Sequence, residues 1–133
     1  MNRIGRLLFP ASSLLLGVAL ATPAGALPPF LVESADPSSG FVGQYSSIVL
    51  DALGEPHVSY YDESNGNLKY AWKSGATWSS ETADPSADIV GLFTSIALDA
   101  QGVPHVSYYD ATNGDLWYAN RSGGTWTQEV VDG

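Results

Sequence analysis

A stretch of 48 residues is written twice in this chain. Residues 36–83 align without a gap onto residues 84–131, and about 28 of the 48 positions are identical. The densest match sets Pro56-His57-Val58-Ser59-Tyr60-Tyr61-Asp62 against Pro104-His105-Val106-Ser107-Tyr108-Tyr109-Asp110. Repeats of this length mark arrays whose units cannot bury their own faces and must stack on neighbours. The repeat therefore constrains architecture first, and activity only through what the stacked units present.

Inside each repeat the hydrophobic pattern has period two, broken by turn residues every 8 to 12 positions. Ile48 and Leu50 alternate along residues 46–50, Val58 and Tyr60 along residues 57–61, and Leu68, Tyr70 and Trp72 along residues 68–72; residues 77–83 supply a fourth, more polar segment. These read as four short strands per repeat. Asp51 and Gly54 before Pro56, and Asp99 and Gly102 before Pro104, are turn chemistry, and Asn65-Gly66 and Asn113-Gly114 are hairpin signals. Four antiparallel strands in a unit of this size match one β-propeller blade. The expected fold is all-β: a blade over residues 36–83, a second over residues 84–131, and an extra N-terminal strand over residues 30–36. That extra strand is expected because residues 30–36 align with residues 78–84 and 126–132.

The first residues belong to a different class. Arg3 and Arg6, an apolar run over residues 7–21 and the small residues Ala24-Gly25-Ala26 form a secretory signal peptide over residues 1–26, with cleavage after Ala26. The run is too short, and interrupted by Pro10, to be a membrane span. The repeat region, residues 27–133, is thus expected to be secreted or periplasmic, with no membrane span after cleavage. The chain has no cysteine, which excludes disulfides and a lipid-anchored lipoprotein. Its formal net charge of −9 argues against nucleic-acid binding, because such a surface repels phosphate backbones.

Ser47-Ile48-Val49-Leu50-Asp51, the Pro56 to Asp62 run, Asn65-Gly66-Asn67-Leu68-Lys69-Tyr70-Ala71 and Gly75-Ala76-Thr77-Trp78 together resemble the propeller repeats of exported bacterial and archaeal proteins of sialidase-like architecture. The resemblance covers the whole region after residue 26 and implies the fold rather than an activity. The sialidase Asp-box has the form Ser/Thr-x-Asp-x-Gly-x-Thr-Trp. Gly75-Ala76-Thr77-Trp78 and Gly123-Gly124-Thr125-Trp126 match its second half, while Ala71 and Ala119 replace the hydroxyl residue and Lys73 and Arg121 replace the aspartate. Sialidases also hold the substrate carboxylate with three arginines, and after residue 26 only Arg121 remains. No catalytic residues, metal site or cofactor are expected; His57 and His105, one per repeat, are read as packing or hydrogen-bonding residues.

Two blades do not close a ring. An unpartnered face exposing Ile48, Leu50, Val58, Tyr60, Leu68 and Tyr70 forfeits on the order of 10 kcal/mol at about 1.5 to 3 kcal/mol per side chain, comparable to the net stability of a domain. Either identical chains associate head to tail, as in the two-blade lectins that trimerise into a six-bladed ring, or the chain is a fragment of a longer propeller. The extra strand could swap onto a neighbouring chain or be the scar of a lost repeat. The functional expectation is an exported, non-catalytic binding or scaffold module, with glycans as the candidate ligand at clefts between blades. Candidate binding residues are Trp72, Trp117, Tyr61 and Tyr109, with Asp62, Asp110, Asn65 and Asn113 nearby. Two alternatives stay open: a fragment of a sialidase-like hydrolase, and a structural surface repeat without a ligand.

Overall fold

The computed structural model describes residues 31–133, and its regular elements are eight strands. The first sheet is β1 (Val42–Leu50), β2 (Pro56–Asp62), β3 (Asn67–Ser74) and β4 (Thr77–Asp84). The second is β5 (Val90–Leu98), β6 (Pro104–Asp110), β7 (Asp115–Ser122) and β8 (Thr125–Asp132). Each is an open four-stranded antiparallel meander in sequence order, the unit expected of a blade. The signal peptide expected over residues 1–26, with its expected cleavage after Ala26, and Phe30 of the expected extra strand lie outside the described residues.

The turns form as their chemistry requires. Asp51 Oδ1 accepts the backbone N–H of Leu53 and Glu55, each at 2.8 Å, and Asp99 Oδ1 accepts those of Gln101 and Val103 at the same distances. These carboxylates replace the ladder partners that the turn removes. Beyond each turn, His57 Nδ1 and His105 Nδ1 lie 2.5 Å from the hydroxyls of Tyr70 and Tyr118. Nε2 of each ring faces Asp51 at 3.9 Å or Asp99 at 3.4 Å. Each histidine thus ties a β1–β2 or β5–β6 turn to the third strand of its own sheet.

Directly opposed residues of an antiparallel pair share a face, so the register divides each blade into two sides. Ile48 opposes Val58, Val58 opposes Ala71, and Tyr60 opposes Lys69; we call this side the front. Val49 opposes His57, His57 opposes Trp72, Ser59 opposes Tyr70, and Tyr61 opposes Leu68; this is the back. The six side chains expected on one open face therefore belong to two. Leu68 and Tyr70, on the back of blade 1, are buried against the front of blade 2, represented by Ile96, Val106, Tyr108 and Ala119. Ile48 and Leu50, on the front of blade 1, stay exposed, whereas Tyr60 is buried.

Polar pairs lock this seam. Ser59 Oγ meets Thr94 Oγ1 at 2.6 Å, and the Val90 N–H donates to the Gly66 carbonyl at 2.8 Å. The Tyr108 hydroxyl donates to Asp84 at 2.6 Å, and Trp126 Nε1 donates to Glu81 at 2.7 Å beside the Arg121–Glu81 ion pair. Arg121 stands where the Asp-box has its aspartate. The Asp-box-like turn here supplies a cation and an indole N–H to the preceding blade's fourth strand.

The extra N-terminal strand is not a strand: residues 31–36 pair in no ladder. They nevertheless lie where a preceding blade's fourth strand would. Glu33 takes Lys73 at 2.5 Å and Trp78 Nε1 at 2.8 Å, and Asp36 takes the Tyr60 hydroxyl at 2.6 Å and Lys69 at 2.7 Å. Burial pulls the Asp36 carboxyl upward, but the bonds from Lys69, Tyr60 and Ser38 prevail and hold it well below the usual carboxylate range. Burial and the same carboxylate push the Tyr60 phenol far up, so it remains a donor.

Candidate functional site

Near the start of β1, two register shifts interrupt the ladder, between Val42 and Gln44 and between Gln44 and Ser47; β5 repeats them between Val90 and Leu92 and between Leu92 and Ser95. Bulges of this kind re-aim side chains at sheet edges. Here they turn Tyr45 and Phe93 into the left-handed region, each at φ +53°. An aromatic residue there is a conformational outlier, costing about 1 to 3 kcal/mol. Such a cost persists only where surrounding structure fixes it, and residues so held cluster at binding sites.

The two strained rings form the centre of an aromatic row across both blades. Tyr45 lies 4.6 Å from Phe93, centroid to centroid; Tyr61 flanks Tyr45 at 6.3 Å, and Tyr109 flanks Phe93 at 6.3 Å. Neighbouring rings are tilted by 50° to 57°. Phe93 is 65% exposed, Tyr45 43% and Tyr109 37%, so these three rings are open to solvent, whereas Tyr61 is buried at 8%. Burial, with the nearby Glu63 and Asp62 charges, pushes the Tyr61 phenol up and keeps it neutral. Gln44 Nε2 donates to Glu63 at the rim of this row.

Of the residues expected from the sequence, Tyr61 and Tyr109 belong to the row, one at each end. Asp62, Asp110, Asn65 and Asn113 serve the hairpin turns. Asp62 accepts from the Asn65 backbone at 3.2 Å and its side-chain amide at 2.8 Å; Asp110 accepts from Asn113 likewise at 3.1 and 2.8 Å, and from the Thr112 N–H at 2.8 Å. Trp72 and Trp117 are half-buried against the seam core. The Trp72 ring stacks on Tyr70 at 5.2 Å and carries the Arg121 guanidinium 5.4 Å above it. The structure thus brings together two of the eight, and adds Tyr45 and Phe93, which strand alternation alone does not point to. Their signal in the sequence is an aromatic two residues after a glycine in both repeats, Gly43-Gln44-Tyr45 and Gly91-Leu92-Phe93.

The charge around the site is one-sided. The three cations of the described residues are engaged in ion pairs: Lys69 with Asp36, Lys73 with Glu33 and Arg121 with Glu81. A carboxylate-bearing ligand at the aromatic row would meet Glu63 and no uncommitted cation. Among the described residues no cluster of three or more His, Cys, Asp or Glu side chains could hold a metal ion.

No family model matches the chain, and no curated protein matches it. Among solved structures the chain is similar to a fucose lectin from Kordia zhangzhouensis in complex with methyl-fucoside. The identity is 17%, with 72% of this chain and 68% of that chain covered and a TM-score of 0.48.

Proposed function

We propose that the protein is an exported, non-catalytic binding module of β-propeller blades, similar to the sialidase-like repeat proteins in fold, that recognises neutral glycans through the row Tyr61–Tyr45–Phe93–Tyr109. The observation that supports this is the pair of exposed aromatic rings held at φ +53° on the bulges of β1 and β5. A sugar ring offers an apolar C–H face bounded by hydroxyls, and an aromatic face offers a flat apolar surface with a negative quadrupole. Neutral sugars are favoured over acidic ones because Lys69, Lys73 and Arg121 are bound in ion pairs. The same engagement speaks against the sialidase-like alternative, which needs free cations to hold a carboxylate.

Chains associate head to tail in this reading, and several rows on one ring give avidity that a single shallow row lacks. A glycan array followed by titration calorimetry tests it. The expected outcome is millimolar to micromolar binding of neutral oligosaccharides, lost in Phe93→Gly. Glycine adopts positive φ without strain, so this variant stays folded, and lost binding reports the ring rather than the fold. Binding to no glycan, or binding that survives Phe93→Gly and Tyr45→Gly together, overturns the proposal.

A further inference from the structure

The seam is a template for a contact that the described chain makes once and could make again. Across it, Glu81 and Asp84 at the back of blade 1 receive Arg121, Trp126 and Tyr108 from the front of blade 2. Forty-eight residues earlier, the front of blade 1 carries the equivalent donor set, Lys73, Trp78 and Tyr60. Forty-eight residues later, the end of β8 carries the equivalent acids, Glu129 and Asp132, which have no side-chain partner among the described residues. Glu33 and Asp36 stand in for them.

Residues 32–36 reproduce only the polar part of that edge. A pocket of about 310 Å³ remains beside them, with Val42, Gly43, Val58 and Tyr60 among its walls. In the seam the corresponding space is full. A Cβ on Gly91 would lie 2.6 Å from the Leu68 Cα, whereas one on Gly43 would meet nothing within 4 Å. Leu116, the counterpart of Leu68, is 44% exposed on the back of blade 2, and Ile48 is 64% exposed on the front of blade 1. The two open faces therefore carry matching apolar surfaces as well as matching charges.

We propose that residues 32–36 are an internal plug, occupying the front of blade 1 until the back of blade 2 from a second copy displaces them. Glu129 and Asp132 of that copy take over Lys73, Trp78 and Tyr60, and its Leu116 fills the pocket beside Gly43. The proposal rests on the head-to-tail association put forward above. The exchange conserves the ion pair to Lys73 and the bond from Tyr60, so its driving force is the apolar surface that the plug leaves uncovered. Because the plug is tethered to its own receptor, it competes at a high effective concentration and lowers the apparent association constant by the fraction of time it is bound.

Zero-length carbodiimide coupling of the native chain reads both states directly, since it joins Lys73 to whichever carboxylate it pairs with. A mixture of isotopically light and heavy chains separates links within one copy from links between copies. The expected result at low protein concentration is a Lys73–Glu33 link within one chain. As concentration rises, this link declines in step with the growth of a Lys73–Glu129 link between chains. In the variant Glu33→Gln/Asp36→Asn the Lys73–Glu129 link reaches the same yield at a concentration at least tenfold lower. No Lys73–Glu129 link in either chain overturns the head-to-tail association itself. A Lys73–Glu129 link that forms without loss of Lys73–Glu33 in the native chain leaves the association standing and overturns the plug.

Discussion

The same side chains live in two environments within this molecule. Leu68 is fully buried in the seam, and Leu116, its counterpart, is half exposed; Ile96 is 8% exposed and Ile48 64%. Since the chemistry is held constant by the repeat, the difference isolates what a neighbouring blade contributes. It contributes dryness more than bonding: Tyr60 and Tyr108 both find a carboxylate, but only the seam also fills the space beside its glycine.

The comparison is sharpened first by truncating the leucines. Leu68→Ala is expected to cost about 2 to 5 kcal/mol in urea unfolding, through lost transfer energy and a residual cavity. Leu116→Ala should cost less than about 1 kcal/mol in dilute protein, as for a surface position. Equal costs would mean that the open faces are already covered at the measuring concentration. Next, Tyr108→Phe leaves Oδ2 of the buried Asp84 without its donor, with only the Ser86 N–H remaining on Oδ1 at 3.0 Å, and should cost about 1.5 to 3 kcal/mol. Tyr60→Phe should cost less by the same assay, because Lys69 stays 2.7 Å from Asp36.

Gly91→Ala and Gly43→Ala share the strain of positive φ, at +99° and +96°. Only the first drives a Cβ into backbone, so it should cost about 1 to 3 kcal/mol more, a difference typical of overpacking. The smallest effect is in pH. Burial lowers the His57 pKa, although Asp51 and Glu55 oppose it. The unfolded chain therefore takes up the proton first, and stability falls as pH drops below the ordinary value of 6.5 towards the folded one. Thermal unfolding from pH 7.5 to 5 should show this loss, and His57→Gln should reduce it.

The strands and their order were legible in the sequence because each turn announces itself: Asp51 and Asp99 cap theirs, and Asn65-Gly66 and Asn113-Gly114 close the hairpins. The assignment of faces was legible only in part. Alternation places Leu68 with Tyr70 and Val58 with Tyr60, but which pair shares a side depends on the register across the turn. Alternation within a strand says nothing about that. Tyr45 and Phe93 escaped because a bulge breaks the period by which strand residues are recognised, leaving them to read as loop. The other repeat has Asn120 in place of Trp72 and Lys69 in place of Trp117, yet each tryptophan is packed against the seam core, where the two faces across it are not copies of one another.

The meander has a consequence for how the chain finds its register. β2 and β6 are identical heptapeptides, so nothing in their side chains prevents β2 from pairing with β7 instead of β3. What separates the two pairings is loop entropy. A four-residue turn joins β2 to β3, while about fifty residues separate β2 from β7, a difference worth roughly 2 kcal/mol in closure entropy. Ladders such as that joining Val42 to Asp62 form within a hairpin's reach, whereas seam partners such as Glu81 and Trp126 lie 45 residues apart. The hairpins are thus free to settle before the seam closes, and proximity along the chain keeps the two copies of one sentence from being read across each other.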